Sequence, residues 1–226
     1  TLNETAKEFS ERGFKVSPYK VDVSNLEQIQ QAAALILKEG AVDILINNAG
    51  IVTGQPFYKQ EARAITKTLA INVEAVMQIS RVFLPAMIEQ KSGHIVNIAS
   101  AAGMMSNPNM SVYSASKWAV LGWSESLRIE LESIKGDLHV TTVTPGYIDT
   151  GMFDGVKSPL LLPLLKPEAI VKAIIKGVER NKLFVRKPFM VNYLTFVKGI
   201  LPIRVFDWFV GTVLGVYKSM DDFKGH

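Results

Sequence analysis

The sequence predicts a doubly wound α/β domain, a parallel sheet with helices on both faces. Three observations carry the prediction. Short apolar runs alternate with longer stretches of helical period. The runs are apolar at successive positions instead of every second one, as expected of strands buried on both faces. Hydrophobic residues make up 48% of the 226 positions and charged residues 20%, enough for one sizeable core.

The elements follow in order. Thr1-Leu2-Asn3-Glu4-Thr5-Ala6-Lys7-Glu8 reads as a polar helix, with neither the apolar stretch of a secretion signal nor an Arg-rich transit pattern. Residues 15–23 read as a short strand, and residues 25–38 as a helix with Leu26, Ile29, Ala33, Ile36 and Leu37 at its apolar positions. Residues 42–47 form the next strand, ended by Asn48-Ala49-Gly50, and a long helical stretch spans 62–90. A strand at 94–98, a helix at 112–133, a strand at 139–143 stopped by Pro145-Gly146, and a weaker strand at 183–185 complete the alternation. Residues 147–167, rich in Gly, Pro and Leu, are too long for an ordinary connection and read as a lid. Residues 1–188 are expected to form this domain. Residues 189–226 are expected to be an apolar extension that covers the pocket, a neighbouring subunit or a membrane surface.

Composition excludes several function classes. The 25 Lys+Arg against 21 Asp+Glu give +4, and Lys7, Arg63, Lys91, Arg128, Lys172 and Lys182 are scattered, which argues against a nucleic-acid partner. With no Cys there is no disulfide framework, thiol nucleophile or Cys-bearing zinc site. His94, His139 and His226 lack the spacing of a helix-face metal site, so no metal is expected and all three read as structural. Toward the C-terminus Lys198, Arg204 and Asp207 interrupt the apolar residues, and the uncharged run from Trp208 to Tyr217 falls short of the ~20 residues that span a bilayer.

Tyr113-Ser114-Ala115-Ser116-Lys117 carries the chemistry. Four residues apart on a helix, the phenol and the ammonium leave the same face about one turn from each other. A free phenol, pKa ~10, is a poor proton donor or acceptor at neutral pH, and a neighbouring cation favours its ionised form. Ser100 ends a predicted parallel strand, where ligands of open α/β sheets bind, and the loop to Tyr113 can return the hydroxyl to the phenol. Asn47-Asn48-Ala49-Gly50 ends the preceding strand at the same edge, and Asn72 lies on the helix between them. Singly, each feature has a plain structural reading: a surface Tyr–Lys pair, asparagines satisfying backbone at a strand end, a Pro-Gly turn, a serine cap. Jointly, at one edge of one sheet, they point to acid/base work at an alcohol or carbonyl oxygen.

Together with Pro145-Gly146-Tyr147-Ile148-Asp149-Thr150, these motifs resemble the short-chain dehydrogenase/reductase family in order and spacing, over nearly everything from Asp22 to about Val185. The resemblance implies a Rossmann-like fold and assigns roles. Tyr113 would be the general acid in carbonyl reduction and the base in alcohol oxidation. Lys117 would lower the phenol pKa and hold the nicotinamide ribose, Ser100 would polarise the substrate oxygen, and Asn72 would support a water-linked proton relay. Asn48, Ala49 and Gly50 would line the adenosine side, Asp22 and Val23 would approach the adenine, and Ile148 and Thr150, after Pro145 and Gly146, would fix the carboxamide. The cofactor would be NAD or NADP, with a slight preference for NADP.

A fold of this kind normally opens with a strand, a Gly-rich turn and a helix that receives the pyrophosphate. None precedes Asp22, where Gly13 looks like a helix C-cap. The first strand–helix–strand unit, about forty residues, is therefore expected to be missing from this sequence, leaving a gap of roughly 10 Å between the strand at 15–23 and that at 42–47. Gly151-Met152-Phe153 and Leu160-Leu161-Leu162-Pro163-Leu164-Leu165 either cover a lipophilic alcohol or ketone or simply pack on the core. The aromatic and basic residues from Phe189 to Tyr217 could serve a membrane interface, a subunit contact or a pocket cover. Leu201-Pro202 and Ser219-Met220-Asp221-Asp222-Phe223 are similar to the retinoid, steroid and lipid branch of the family. The leading expectation is an NAD(P)-dependent oxidoreductase interconverting a lipophilic alcohol and its carbonyl. It would be cytoplasmic with peripheral membrane contact, and a homodimer or homotetramer through the helices at 62–90 and 112–133. The rival is a non-catalytic dinucleotide-binding or scaffold protein on the same fold.

Overall fold

The structure, a computed structural model, describes residues 1–160 and 162–224. Leu161 and His226, named above, lie outside the described residues. Four strands pair in parallel in the order β1 (Ile44–Asn47), β2 (Ser92–Ile98), β3 (Asp137–Pro145) and β4 (Phe184–Lys187). Because every pair is parallel, each connection is a helical crossover, and all four strands end at one edge.

The two-faced burial is visible residue by residue. On β2, Ile95 packs with Leu138 and Val140 of β3 against Met87, Leu127 and Leu131. Those three side chains belong to α4 (Ala75–Glu89) and α5 (Ser111–Glu132). The next residue, Val96, faces the other way with Val143 and Val185, toward Ala173, Ile174 and Val178 of α6 (Pro167–Val178). Period-two alternation thus puts apolar side chains on both faces, which is why the strands read as continuous apolar runs. Before α4, the helix α3 (Ala62–Leu69) continues through a π turn, Ala70–Glu74, so the stretch expected at 62–90 is one interrupted helix. At the N-terminal end, α1 (Leu2–Glu11) carries a Thr1/Glu4 capping box, and α2 (Leu26–Leu37), capped by Asn25, packs on α4.

The strand expected at 15–23 does not form: these residues are irregular and pair with no strand. A strand exists only through its neighbours, and Pro18 in the middle of the segment removes one donor. Beside them β1 is an open edge, with Ile44 49% and Ile46 53% exposed. No glycine-rich strand–turn–helix precedes β1 among the described residues.

Near its C-terminal edge the sheet is tied to its helices by polar groups. Asn47 Nδ2 donates to Ser80 Oγ (2.9 Å) and Asn97 Oδ1 (2.8 Å), and Asn97 Nδ2 donates to Ser124 Oγ (2.9 Å). Past β4, a 3-10 turn (Phe189–Tyr193), α7 (Leu194–Ile200), α8 (Ile203–Asp207) and a π turn (Trp208–Val213) fold back. Their Val191, Leu194, Phe206, Val210 and Leu214 join Ala99, Met104, Val120, Leu121 and Leu162 in one apolar cluster. The residues after 188 are thus built into the main core on one side, while Phe189, Phe196, Ile200 and Trp208 stay at least 60% exposed on the other.

Candidate active site

The C-terminal ends of β1, β2 and β3 open into a cavity of about 470 Å³. Ser100, Tyr113, Lys117, Asn48, Gly50, Pro145, Gly146, Ile148 and Thr150 all line it, with Val52, Met152 and Phe153 on its apolar side. Nine of the expected site residues therefore meet in one hollow.

Local structure explains how three of them converge. Ser100 leaves β2 and caps the 3-10 turn Ala101–Gly103, its Oγ accepting from Ala102 N (3.1 Å). That turn presses on α5: a Cβ on Gly103 would stand 2.7 Å from the Lys117 carbonyl oxygen, so only glycine permits the approach. The serine hydroxyl donates to the Pro145 carbonyl at 3.5 Å and lines the same cavity as the Tyr113 phenol. Capping and site membership are joint properties of Ser100, not alternatives.

Tyr113 and Lys117 are each 5% exposed. Lys117 Nζ donates to the Ile98 carbonyl (2.8 Å) and stands 5.7 Å from the Tyr113 ring centre. Burial pushes the phenol up to about 12, against the pull of the Ser100 hydrogen bond, and burial brings the ammonium down to about 8. The direction is opposite to the expected lowering of the phenol, because desolvation dominates both groups. At neutral pH the pair is a neutral phenol beside a cation.

Asn72 stands apart from the cavity. It sits in the π turn, fully buried, where Oδ1 accepts from Ile51 N (2.8 Å) and Nδ2 donates to Ile51 O (2.9 Å) and Ser116 Oγ (3.0 Å). Ser116 Oγ in turn donates to Tyr113 O (2.6 Å), so Asn72 fixes the strand-end loop to the helix that carries the phenol. Val23, Asn48 and Ala49 line a second hollow of about 170 Å³ with Ile71 and Val76. Asp22 lies outside both: its carboxylate accepts from Ser24 N (2.9 Å) and Oγ (2.7 Å), which holds its pKa below the usual carboxylate value.

Sequence reasoning missed Asn107 and named Tyr147 and Ser219 only inside longer motifs; the three side chains hydrogen-bond to one another. They come from three separate loops, and no spacing rule links them. His94 is buried in β2. Thr141 Oγ1 gives its proton to Lys182 O (2.6 Å), so His94 Nε2 is the donor in their 2.7 Å contact. No group of three His, Asp or Glu side chains suited to a metal ion occurs among the described residues.

The family profile described as short chain dehydrogenase matches residues 1–160. Epidermal retinol dehydrogenase 2 of Mus musculus is 39% identical over 215 residues, covering 93% of this chain and 69% of that protein. Estradiol 17-beta-dehydrogenase 11 of Pongo abelii is 36% identical over 207 residues, covering 90% and 68%. Among solved structures, a short-chain dehydrogenase from Sphingobium yanoikuyae in complex with NADPH superposes with a TM-score of 0.76 at 27% identity, over 88% of this chain and 78% of that one. One from Burkholderia phymatum in complex with NAD gives 0.76 at 25%, over 85% and 78%. Fold and sequence define an oxidoreductase of the class that acts on CH–OH groups. The chain belongs to the short-chain dehydrogenase/reductase family.

Proposed function

We propose that the chain interconverts a lipophilic alcohol and its carbonyl compound with a nicotinamide dinucleotide, and that Tyr113 is the general acid/base. The observation that carries the reading is the meeting of Ser100, Tyr113 and Lys117 in one hollow at the carboxyl ends of parallel strands. NAD and NADPH in the two structural relatives support a cofactor of that class, and the names of the curated relatives, retinol and estradiol dehydrogenases, support a lipophilic substrate.

The residues present suit such a cofactor at its nicotinamide end. Lys117 spends one N–H on Ile98 and has donors left at the wall of the cavity that Thr150, Gly146 and Ile148 also line. Asn48, Ala49 and Val23 are the candidates for the adenosine side. When bound, the nicotinamide supplies or accepts the hydride.

The protein's own contribution is position and a proton. Ser100 Oγ and the Tyr113 hydroxyl converge, so a substrate oxygen placed between them accepts two hydrogen bonds. In reduction the neutral phenol donates its proton to the developing alkoxide, and in oxidation the same oxygen takes a proton back. The resulting phenolate is a buried anion, and the Lys117 cation on the same helix face stabilises it. Val52, Met152 and Phe153 make the opposite wall apolar, which favours a greasy body over a sugar.

The reading is tested by following NAD(P)H absorbance with lipophilic and sugar-like ketones. Turnover is expected for the lipophilic set, and Ser100→Ala is expected to lower kcat about 10²-fold with little change in KM, the loss typical of one oxyanion donor. Equal turnover by Ser100→Ala would remove Ser100 from the chemistry.

A further inference from the structure

Cations that look scattered along the sequence are gathered by the fold at the β4 side of the sheet. Lys172 and Lys176 stand four residues apart on α6, on one face of the helix, and Arg180 continues the spacing just past its end. Lys182 follows in the connection to β4, which carries Arg186 and Lys187. All six line one hollow of about 550 Å³. Gly177 and Val185 lie between them, and a Cβ on Gly177 would collide with the Val185 side chain, so helix and strand meet there at closest approach.

Nothing in the chain balances this charge locally. No Asp or Glu lines the hollow, and none of the six cations is in an ion pair among the described residues. Glu168 and Glu179, the acids of α6 and its C-cap, lie outside the lining. Like charges four residues apart disfavour a helix, and cations lining a concave surface raise the potential within it.

Exposed lysines alone would make no more than a solvated face. Arg186 adds an observation of another kind. Its guanidinium stacks on the Phe184 ring at 4.3 Å from the ring centre, and its Nε is buried with no hydrogen-bond partner among the described residues. Buried N–H groups are nearly always paired, so this donor calls for an acceptor from outside the chain. A stacked guanidinium is also a fork held in place, matched to the oxygens of a phosphate. Beside it Phe189, 66% exposed, lines the same hollow and gives an acyl chain a surface to lie on. The six cations share a hollow and do not follow a stripe, which suits a compact anion better than a nucleic-acid strand.

We propose that the hollow between α6 and β4 binds a phosphate group, carried on a lipid headgroup or on a small molecule free in solution. It shares no lining residue with the Tyr113 cavity, so the site stands independently of the reaction assigned there.

The test measures binding of two probes to the whole protein: inorganic pyrophosphate by calorimetry, and phosphatidylcholine vesicles with and without phosphatidic acid by sedimentation. Pyrophosphate binding supports a free phosphate compound as the ligand. Binding only to the phosphatidic acid vesicles supports a lipid headgroup. With whichever probe binds, Lys172→Gln/Lys176→Gln and Arg186→Gln are each expected to weaken binding about tenfold. Lys7→Gln/Lys38→Gln, which removes the same charge as the lysine pair near the start of the chain, is expected to change it less than about twofold. Lys172 and Lys176 are exposed, and Gln keeps the helix propensity of Lys, so that variant retains its fold even where Arg186→Gln does not. Binding of neither probe overturns the site. Binding that the Lys172/Lys176 variant leaves unchanged, or that the Lys7/Lys38 control weakens equally, overturns it as well.

Discussion

Lys117 is a cation with no carboxylate partner among the described residues, 5% exposed and held by one carbonyl. Burying such a charge costs stability, so its retention is best explained by work in the cavity. Lys117→Met is expected to gain roughly 1–3 kcal/mol of stability, a rise of a few degrees in Tm, while turnover falls by at least about 10²-fold. Calorimetry and NADPH oxidation check the two halves, and a lower Tm would contradict the reading of an unpaired charge. His94 gives a pH effect of opposite origin. Desolvation, with His139 as a second cause, brings its imidazole down to about 4 from the ordinary 6.5. Between those values the unfolded chain takes up a proton that the folded chain refuses, so His94 stabilises the fold above pH 6.5 and that contribution is lost as the pH falls toward 4. His94→Gln should flatten the fall of the urea midpoint across this window, and an unaltered slope would refute it. At this scale the sequence was informative wherever a side chain stands at a strand end or one helical turn from its partner. It was silent on the contacts of Asn107 and Ser219 to Tyr147, which bridge 40 and 72 residues.

The elements were legible to the extent that they bury two faces. Strands β2 and β3, with α4 and α5 over them, follow directly from continuous apolar runs and helical period. The segment at 15–23 also reads as a strand yet forms none, since pairing is a property of neighbours and not of a residue pattern. The π turn was equally hidden: residues 70–74 look like ordinary helix, and the extra residue per turn shows only in the hydrogen bonds that put Asn72 behind Ile51. Gly103 shows how an element contact sets the site. Gly103→Ala must push the 3-10 turn off α5 and move Ser100 with it. We expect about 1–3 kcal/mol of destabilisation by urea unfolding, with a loss of kcat larger than any change in KM. Wild-type stability and kcat in that variant would show that the turn has slack.

Across the whole molecule, one edge of the sheet gathers the candidate site, and the last strand leads back into the core. The residues after 188 look like an appendage in the sequence because charges break their apolar run. In the fold they supply Val191, Phe206, Val210 and Val216 to the main core and Met220 to the apolar cluster around Tyr113. Their outward aromatics and the bare edge of β1 are apolar surfaces that packing leaves open. All of the functional reading depends on one proton moving through Tyr113. The most direct measurement is kcat for carbonyl reduction by Tyr113→Phe, which keeps the ring and its contacts and removes only the hydroxyl. A fall of at least about 10²-fold with the fold and cofactor binding intact is the predicted result. Turnover within a few-fold of wild type would contradict it.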